Sequence, residues 1–228
     1  MAGRSVTTVY TLDVDGYAPD ITALTRPLLQ RWVEKIGASL HVISTRRWPE
    51  LPPVYEKLQI PDLARERGDD RIVYIDADAL VHPDFFDPTD HVPMGTVAHN
   101  GADMAGNRWR YDEFFRRDGR NIGSCNWFTV GSRWTLDLWR PLDDLTFHQA
   151  CDRIFPIQSE LNSVITREHL IDDYILSRNI ARFGLKFTTV NQVLRDLGDT
   201  GNYLWHQYQI PRSEKVAEMG KILKLWKV

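Results

Sequence analysis

Two aspartates one residue apart, Asp76 and Asp78 around Ala77, follow directly on the apolar run Ile72-Val73-Tyr74-Ile75. That run lacks polar alternation, the pattern of an interior parallel strand covered on both faces. Carboxylates at the end of such a strand are costly to bury without a partner. In open α/β sheets the ligand crevice lies beyond the carboxyl ends of the strands. Paired oxygens there suit Mg²⁺ or Mn²⁺, hard cations that share their coordination shell with phosphate oxygens. The pair therefore points to a cation site for a phosphorylated ligand. A turn explains one aspartate but needs no second at this spacing.

The elements that must position this pair can be read around it. Residues 5–12 are β-branched and aromatic, a strand signal that stops at Asp13 to Gly16. A helix follows to Gly37, with Leu28, Leu29, Trp32, Val33 and Ile36 on one stripe; Thr25 is a candidate N-cap, with Pro27 in the first turn and Leu24 stapled on Leu29. Leu40 to Ser44 reads as a second strand. Residues 54–67 read as helix, restarted at Pro61 and ended by Gly68. Strand, helix, strand, helix, strand is the order of a doubly wound α/β sheet. Further on, 92–98 and 125–131 are expected strands, 133–140 a Trp-rich helix, 172–183 a helix ended by Gly184, and Lys186 to Val190 a short strand. With no repeat and no low-complexity linker, one domain is expected.

With the strand context in place, Val73-Tyr74-Ile75-Asp76-Ala77-Asp78-Ala79-Leu80-Val81 resembles the DxD segment of GT-A glycosyltransferases, in particular the glycogenin-like and bacterial lipopolysaccharide galactosyltransferase-like families. Those families carry a basic residue about twenty positions earlier, on a helix facing the nucleotide sugar, and Lys57 stands at that distance. Asp13 to Tyr17, including Asp15, resembles the segment that holds the nucleobase, with Tyr17 stacking on a uracil. Asn121-Ile122-Gly123 resembles the Asn-x-Gly segment lining the donor sugar and acceptor. Asp172-Asp173 resembles the acidic pair that touches the transferred sugar. His206 and Lys215 resemble the C-terminal His that completes the metal site and the Lys that contacts the diphosphate. Two departures stand out: the His is followed by Gln207-Tyr208-Gln209 without the usual Gly, and the acidic pair reads Asp-Asp-Tyr where Asp-Gln-Asp is more usual.

The resemblance implies a GT-A-like mixed sheet flanked by helices. Residues 1–100 would be the nucleotide-sugar half, 101–210 the acceptor half, and 211–228 a basic amphipathic tail. It also implies Mn²⁺ or Mg²⁺ on Asp76, Asp78 and His206, a nucleotide-sugar donor such as a UDP-hexose, and a saccharide, glycolipid or protein acceptor. The reaction implied is hexosyl transfer with retention.

Each residue also has a plainer reading. His206 lies among Trp205 and Tyr208 and fits an aromatic packing cluster; Asp172 fits the N-cap of its helix, with Ile171 stapled on Leu176; and Asp173 fits the helix dipole. Arg108, Arg110, Arg116, Arg117 and Arg120 fit a solvated face as well as a phosphate clamp. The lysine-rich tail, with Val216, Met219, Ile222, Leu223 and Trp226, fits packing on the domain as well as an anionic membrane surface. Two rival functions remain. One is a haloacid-dehalogenase-like phosphatase, with Asp76 as nucleophile and Gly198-Asp199 as its late metal motif. The other is a non-catalytic nucleotide-sugar binder.

Composition narrows the field. The chain has 228 residues and a net charge of −3, which argues against a nucleic-acid binder relying on overall attraction to phosphate. Its two cysteines, Cys125 and Cys151, lack metal-ligand spacing and suggest a reducing compartment. The N-terminus has no apolar signal core. The expectation is a cytoplasmic protein with at most peripheral membrane contact.

Overall fold

The computed structural model describes residues 5–100, 126–154, 166–207 and 210–228. Its centre is a six-stranded sheet of β1 (Thr7–Leu12), β2 (Ser39–Ile43), β3 (Arg71–Ile75), β5 (Thr96–His99), β6 (Phe128–Ser132) and β7 (Lys186–Thr189), in the order β2-β1-β3-β6-β5-β7. Strand β6 runs antiparallel to both neighbours and every other pairing is parallel, so the sheet is mixed. A second, two-stranded sheet pairs β4 (Leu80–Val81) antiparallel with β8 (Leu204–Trp205). The helices are α1 (Pro19–Lys35), α2 (Ile60–Arg67), α3 (Phe147–Cys151), α4 (Ile171–Arg182), α5 (Val190–Asp196) and α6 (Arg212–Trp226).

Strand alternation sends successive side chains to opposite faces, and both faces are covered. Val9, Val73, Ile75, Phe128 and Val130 meet Leu29, Trp32 and Val33 of α1 and Val190 and Val193 of α5. Tyr10, Ile72 and Tyr74 meet Tyr55, Leu58 and Ile60, together with Tyr174 and Ile175 of α4. This two-sided burial is why β3 reads as continuously apolar. The expected doubly wound mixed sheet, flanked by helices, is the observed fold class.

Several boundaries differ from the sequence expectation. Helix α1 begins at Pro19 and carries Pro27 in its interior. Thr25 does not cap it: its hydroxyl donates to the Ala77 carbonyl at 2.6 Å, clamping α1 to the Asp-Ala-Asp turn. The segment 54–67 is a 3₁₀ turn, Pro53–Gln59, that passes into α2, and Gly68 ends it in the left-handed region at φ 70°. The expected helix at 133–140 is only a 3₁₀ turn over Leu136–Trp139, since Pro141 disfavours helical geometry at the residue before it. Strand β5 starts four residues late, after Pro93 and the turn at Gly95 (φ 81°). The β4–β8 pair, α3 and α5 are elements the sequence reading omitted.

Among the described residues, no helix is long and apolar enough to cross a membrane. The apolar stripe of α6 faces inward. Met219 is fully buried against Ala18, Ile21, Leu28 and Leu80, with Val216, Ile222, Leu223 and Trp226 around it. Lys221, Lys224 and Leu225 face outward.

Candidate functional site

The carboxyl ends of β1 and β3 lie side by side where the chain order reverses, since β2 and β3 flank β1 on opposite sides. This is the position at which doubly wound sheets bind ligands. Strand β3 ends as the Asp76 N–H donates to the Trp127 carbonyl at 2.8 Å, and Ala79 N–H turns back onto the Asp76 carbonyl at 3.1 Å. The Asp-Ala-Asp turn is thus pinned on three sides: by Trp127, just before β6, by its own backbone, and by Thr25 through the Ala77 carbonyl.

Three further elements converge on it. Antiparallel pairing of Leu80 with Trp205 delivers the next residue, His206, beside the turn. Its Nε2 lies 3.2 Å from Asp78 Oδ1 and 3.9 Å from Asp76 Oδ2, and its ring stacks on Trp127 at 5.1 Å. Lys215 sits one helical turn before Met219, so docking of Met219 aims it the same way, and its Nζ reaches Asp78 Oδ2 at 2.5 Å. Lys57, on the 3₁₀ turn, is fully buried. Its Nζ lies 2.5 Å from Asp172 Oδ2 and 3.4 Å from Asp76 Oδ1, over the Tyr74 ring at 4.4 Å.

The two carboxylates share one design. Asp76 Oδ1 accepts from the Tyr74 hydroxyl at 2.5 Å and from Lys57, while Asp78 Oδ2 accepts from Lys215 and from the Tyr17 hydroxyl at 3.2 Å. The outer oxygen of each is engaged and the inner oxygen turns toward His206. Asp76, Asp78 and His206 offer ligand atoms within 4.8 Å of one another, a group that could hold a metal ion. Two carboxylate oxygens and an imidazole nitrogen, oriented by outer hydrogen bonds, fit a divalent cation with coordination positions left over.

Electrostatics follow from burial and partners. Burial raises the Asp76 carboxyl above its usual range. Burial acts the same way on Asp78, but His206 and Lys215 outweigh it and hold that carboxyl well below the usual range. Burial alone would lower Lys57; Asp172 and Asp76 reverse this and keep the ammonium charged. Burial and then the Asp76 charge push the Tyr74 hydroxyl far above its ordinary value, and burial and then Asp78 raise that of Tyr17. Asp173 is pushed up to about 8, first by burial and then by the charge of Asp172.

Asp173 lies in the first turn of α4, as its plainer reading has it, but Asp172 departs from its own. The helix starts at Ile171 with no side-chain cap, so Asp172 is not its N-cap. Asp172 points to Lys57, and Asp173 Oδ1 accepts the Asn126 N–H at 2.5 Å with Asn126 Nδ2 at 3.4 Å. An N-cap carboxylate would have served helix donors; here the long-range lysine takes it instead.

Asp13 and Asp15 lie on the adjoining β1 loop but outside this cluster. Asp13 pairs with Arg26 at 3.0 Å, and Asp15 pairs with Arg46, which also holds the buried Glu56. Asp15 and Gly16 both adopt the left-handed conformation, at φ 56° and 66°, which swings Tyr17 back over Asp78. Tyr17 is 43% exposed as a residue, so part of it is open to solvent. Asn121, Gly123 and the arginines from Arg108 to Arg120 lie outside the described residues.

Sequence reading missed Asn126, Trp127, Tyr74 and Thr25. Tyr74 carried a usable signal, because a residue two before an aspartate on a strand shares its face. Thr25 and Asn126 carried none without the tertiary contacts. The phosphatase pattern fares poorly: Asp199 bonds Gly201 N–H at 2.7 Å and the Tyr203 hydroxyl, and the metal-capable group does not include it.

No protein-family model matches the chain, and no curated protein matches it. The backbone is similar to the crystal structure of a glycosyltransferase involved in the glycosylation of the major capsid of PBCV-1. Identity is 11% and the TM-score 0.49, over 95% of this chain and 99% of that one. A likeness at that level carries no argument about chemistry, and the functional reading rests on the side chains.

Proposed function

We propose that this chain is a divalent-cation-dependent glycosyltransferase that moves a hexosyl group from a nucleoside diphosphate sugar, a UDP-hexose, to an acceptor hydroxyl with retention. The observation that carries the reading is the convergence of Asp76 Oδ2, Asp78 Oδ1 and His206 Nε2 at the sheet's carboxyl edge, with a lysine on the far oxygen of each aspartate. Asp76, Asp78 and His206 hold the cation, and the imidazole nitrogen favours Mn²⁺ over Mg²⁺. When bound, the cation supplies positive charge beside the diphosphate.

The chain's own residues do the rest. Lys215, at the edge of the cluster, is placed to meet diphosphate oxygens and stabilise the charge that develops as the sugar–phosphate bond breaks. Tyr17 offers its ring to the base. Asp172, paired with Lys57 at 2.5 Å, faces positive character at the anomeric carbon. Asp173, whose carboxyl burial and the Asp172 charge push upward, is the member of the pair placed to offer a hydroxyl to the sugar. The acceptor oxygen forms the new bond to the anomeric carbon as the sugar–phosphate bond breaks, and its proton passes to the departing diphosphate oxygen. Residues 1–100 supply most of the donor side, and the acceptor, a saccharide, glycolipid or protein, is met by the later half.

The test is a thermal-shift panel of nucleotide sugars with and without Mn²⁺, comparing wild type with Asp78→Ala. A ligand at a hundred times its Kd stabilises the native state by about 2.7 kcal/mol. A metal-dependent shift with one donor, lost in the variant, supports the reading and names the sugar. Response only to phosphate with Mg²⁺ favours the phosphatase, and binding without transfer favours a non-catalytic binder.

A further inference from the structure

Asp76 has two oxygens and two candidate anchors, and distance decides between them. The Tyr74 hydroxyl stands 2.5 Å from Oδ1 and Lys57 Nζ 3.4 Å, while Lys57 is committed to Asp172 at 2.5 Å. A hydroxyl donating to a carboxylate at the shorter distance makes the stronger, charge-assisted bond. Tyr74 is also fully buried on β3, between β1 and β6, so its ring cannot swing away as the half-exposed Tyr17 beside Asp78 can. We infer that Tyr74 is a positioning residue that fixes the rotation of the Asp76 carboxylate, leaving Oδ2 alone to bind the cation and thereby setting the site's preference for small divalent ions.

The physical argument concerns the second oxygen. A carboxylate whose outer oxygen is held offers one ligand atom. One that is free to rotate can offer two, which suits Ca²⁺ with its six to eight oxygens and flexible shell better than Mg²⁺ or Mn²⁺. Tyr74 carries this role without touching the cation, as outer partners of metal ligands commonly do. The ring itself does separate work: it packs in the core and lies under Lys57 Nζ. Tyr74→Phe removes the hydroxyl and keeps the ring, its packing and its cation–π contact. With the hydroxyl gone, the one donor left to Asp76 Oδ1 among the described residues is Lys57 at 3.4 Å, already committed to Asp172 at 2.5 Å.

The inference rests on the cation-site reading, and the experiment separates the two. Free Mn²⁺ is measured by electron paramagnetic resonance during titration of wild type, Tyr74→Phe and Asp78→Ala, and Ca²⁺ affinity is obtained by competition. Loss of an outer-sphere partner typically weakens binding by about 10–100-fold. Tyr74→Phe is therefore expected to bind Mn²⁺ about tenfold more weakly or worse, with Ca²⁺ affinity much less changed, so that the Mn²⁺/Ca²⁺ preference narrows. Unchanged affinity for both ions overturns the inference while leaving the site intact. Wild type that binds no Mn²⁺, or binds it as well as Asp78→Ala does, overturns the site and the inference together. Should Tyr74→Phe fail to fold, the ratio is measured in His206→Gln, which removes the imidazole's own preference for Mn²⁺: a tenfold preference for Mn²⁺ supports a held carboxylate, and equal affinities refute it.

Discussion

Lys57→Met tests whether the buried charge network is built as described. The side chain is 1% exposed and faces two carboxylates, Asp172 at 2.5 Å and Asp76 at 3.4 Å. At an effective dielectric of about 20 these separations give a gross attraction of roughly 12 kcal/mol. Desolvation of the three ions opposes most of it, at several kcal/mol each. The net value of the pair is therefore small, but breaking it is not. Methionine fills the same volume over the Tyr74 ring and leaves Asp172 buried with neither its cation nor its donor. Removing one partner of a buried pair costs about 3–5 kcal/mol. The double variant Lys57→Met, Asp172→Asn removes the stranded charge as well and should recover about 1–3 kcal/mol of that loss, the cost of one unsatisfied buried group. Urea unfolding of the metal-free protein at neutral pH, followed by tryptophan fluorescence, reads both values, provided the slopes agree between variants. If Lys57→Met lies within about 1 kcal/mol of wild type, or the double variant shows the sum of the losses of Lys57→Met and of Asp172→Asn measured alone, Lys57 and Asp172 do not form the coupled pair.

Two more outcomes follow from the same geometry. Asp173, with its carboxyl pushed up to about 8, stays protonated in the fold while the unfolded chain loses that proton near pH 4. Its contribution is thus fully present below about pH 4 and lost as pH rises toward 8, at no more than about 1.4 kcal/mol per pH unit. Asp173→Asn should shift the slope of stability against pH upward between pH 4 and 8, where buried His99, with its pKa lowered to about 4, pulls the other way, and an unaltered slope in urea melts across that range refutes the assignment. Thr25→Val keeps the shape but strands the buried Ala77 carbonyl. It should cost about 1–3 kcal/mol and weaken Mn²⁺ binding by loosening the turn, whereas a stability loss with metal affinity unchanged would separate clamp from site.

The sequence by itself determined the parts whose causes are local. The unbroken apolar run 72–75 needs cover on both faces, and the structure gives it α1 on one side and the 3₁₀ turn with α4 on the other. The carboxylates at its end fall at the ligand edge because chain direction and strand order put them there. Gly68 and Gly184 mark helix ends because a left-handed residue closes a helix at little cost. Tertiary structure decided everything that depends on who meets whom. His206 reaches Asp78 only because two residues of β8 pair with two of β4, too short a ladder for any periodicity to signal. Lys215 reaches it only because Met219 is seated between α1 and β4. Asp172 reads equally well in sequence as a helix cap, a local role of small energy. A fully buried ammonium from more than a hundred residues away draws it instead, since an unpaired charge costs more than an unmade cap. Local propensity names the residues able to do chemistry; the packing of distant elements selects which of them share a site.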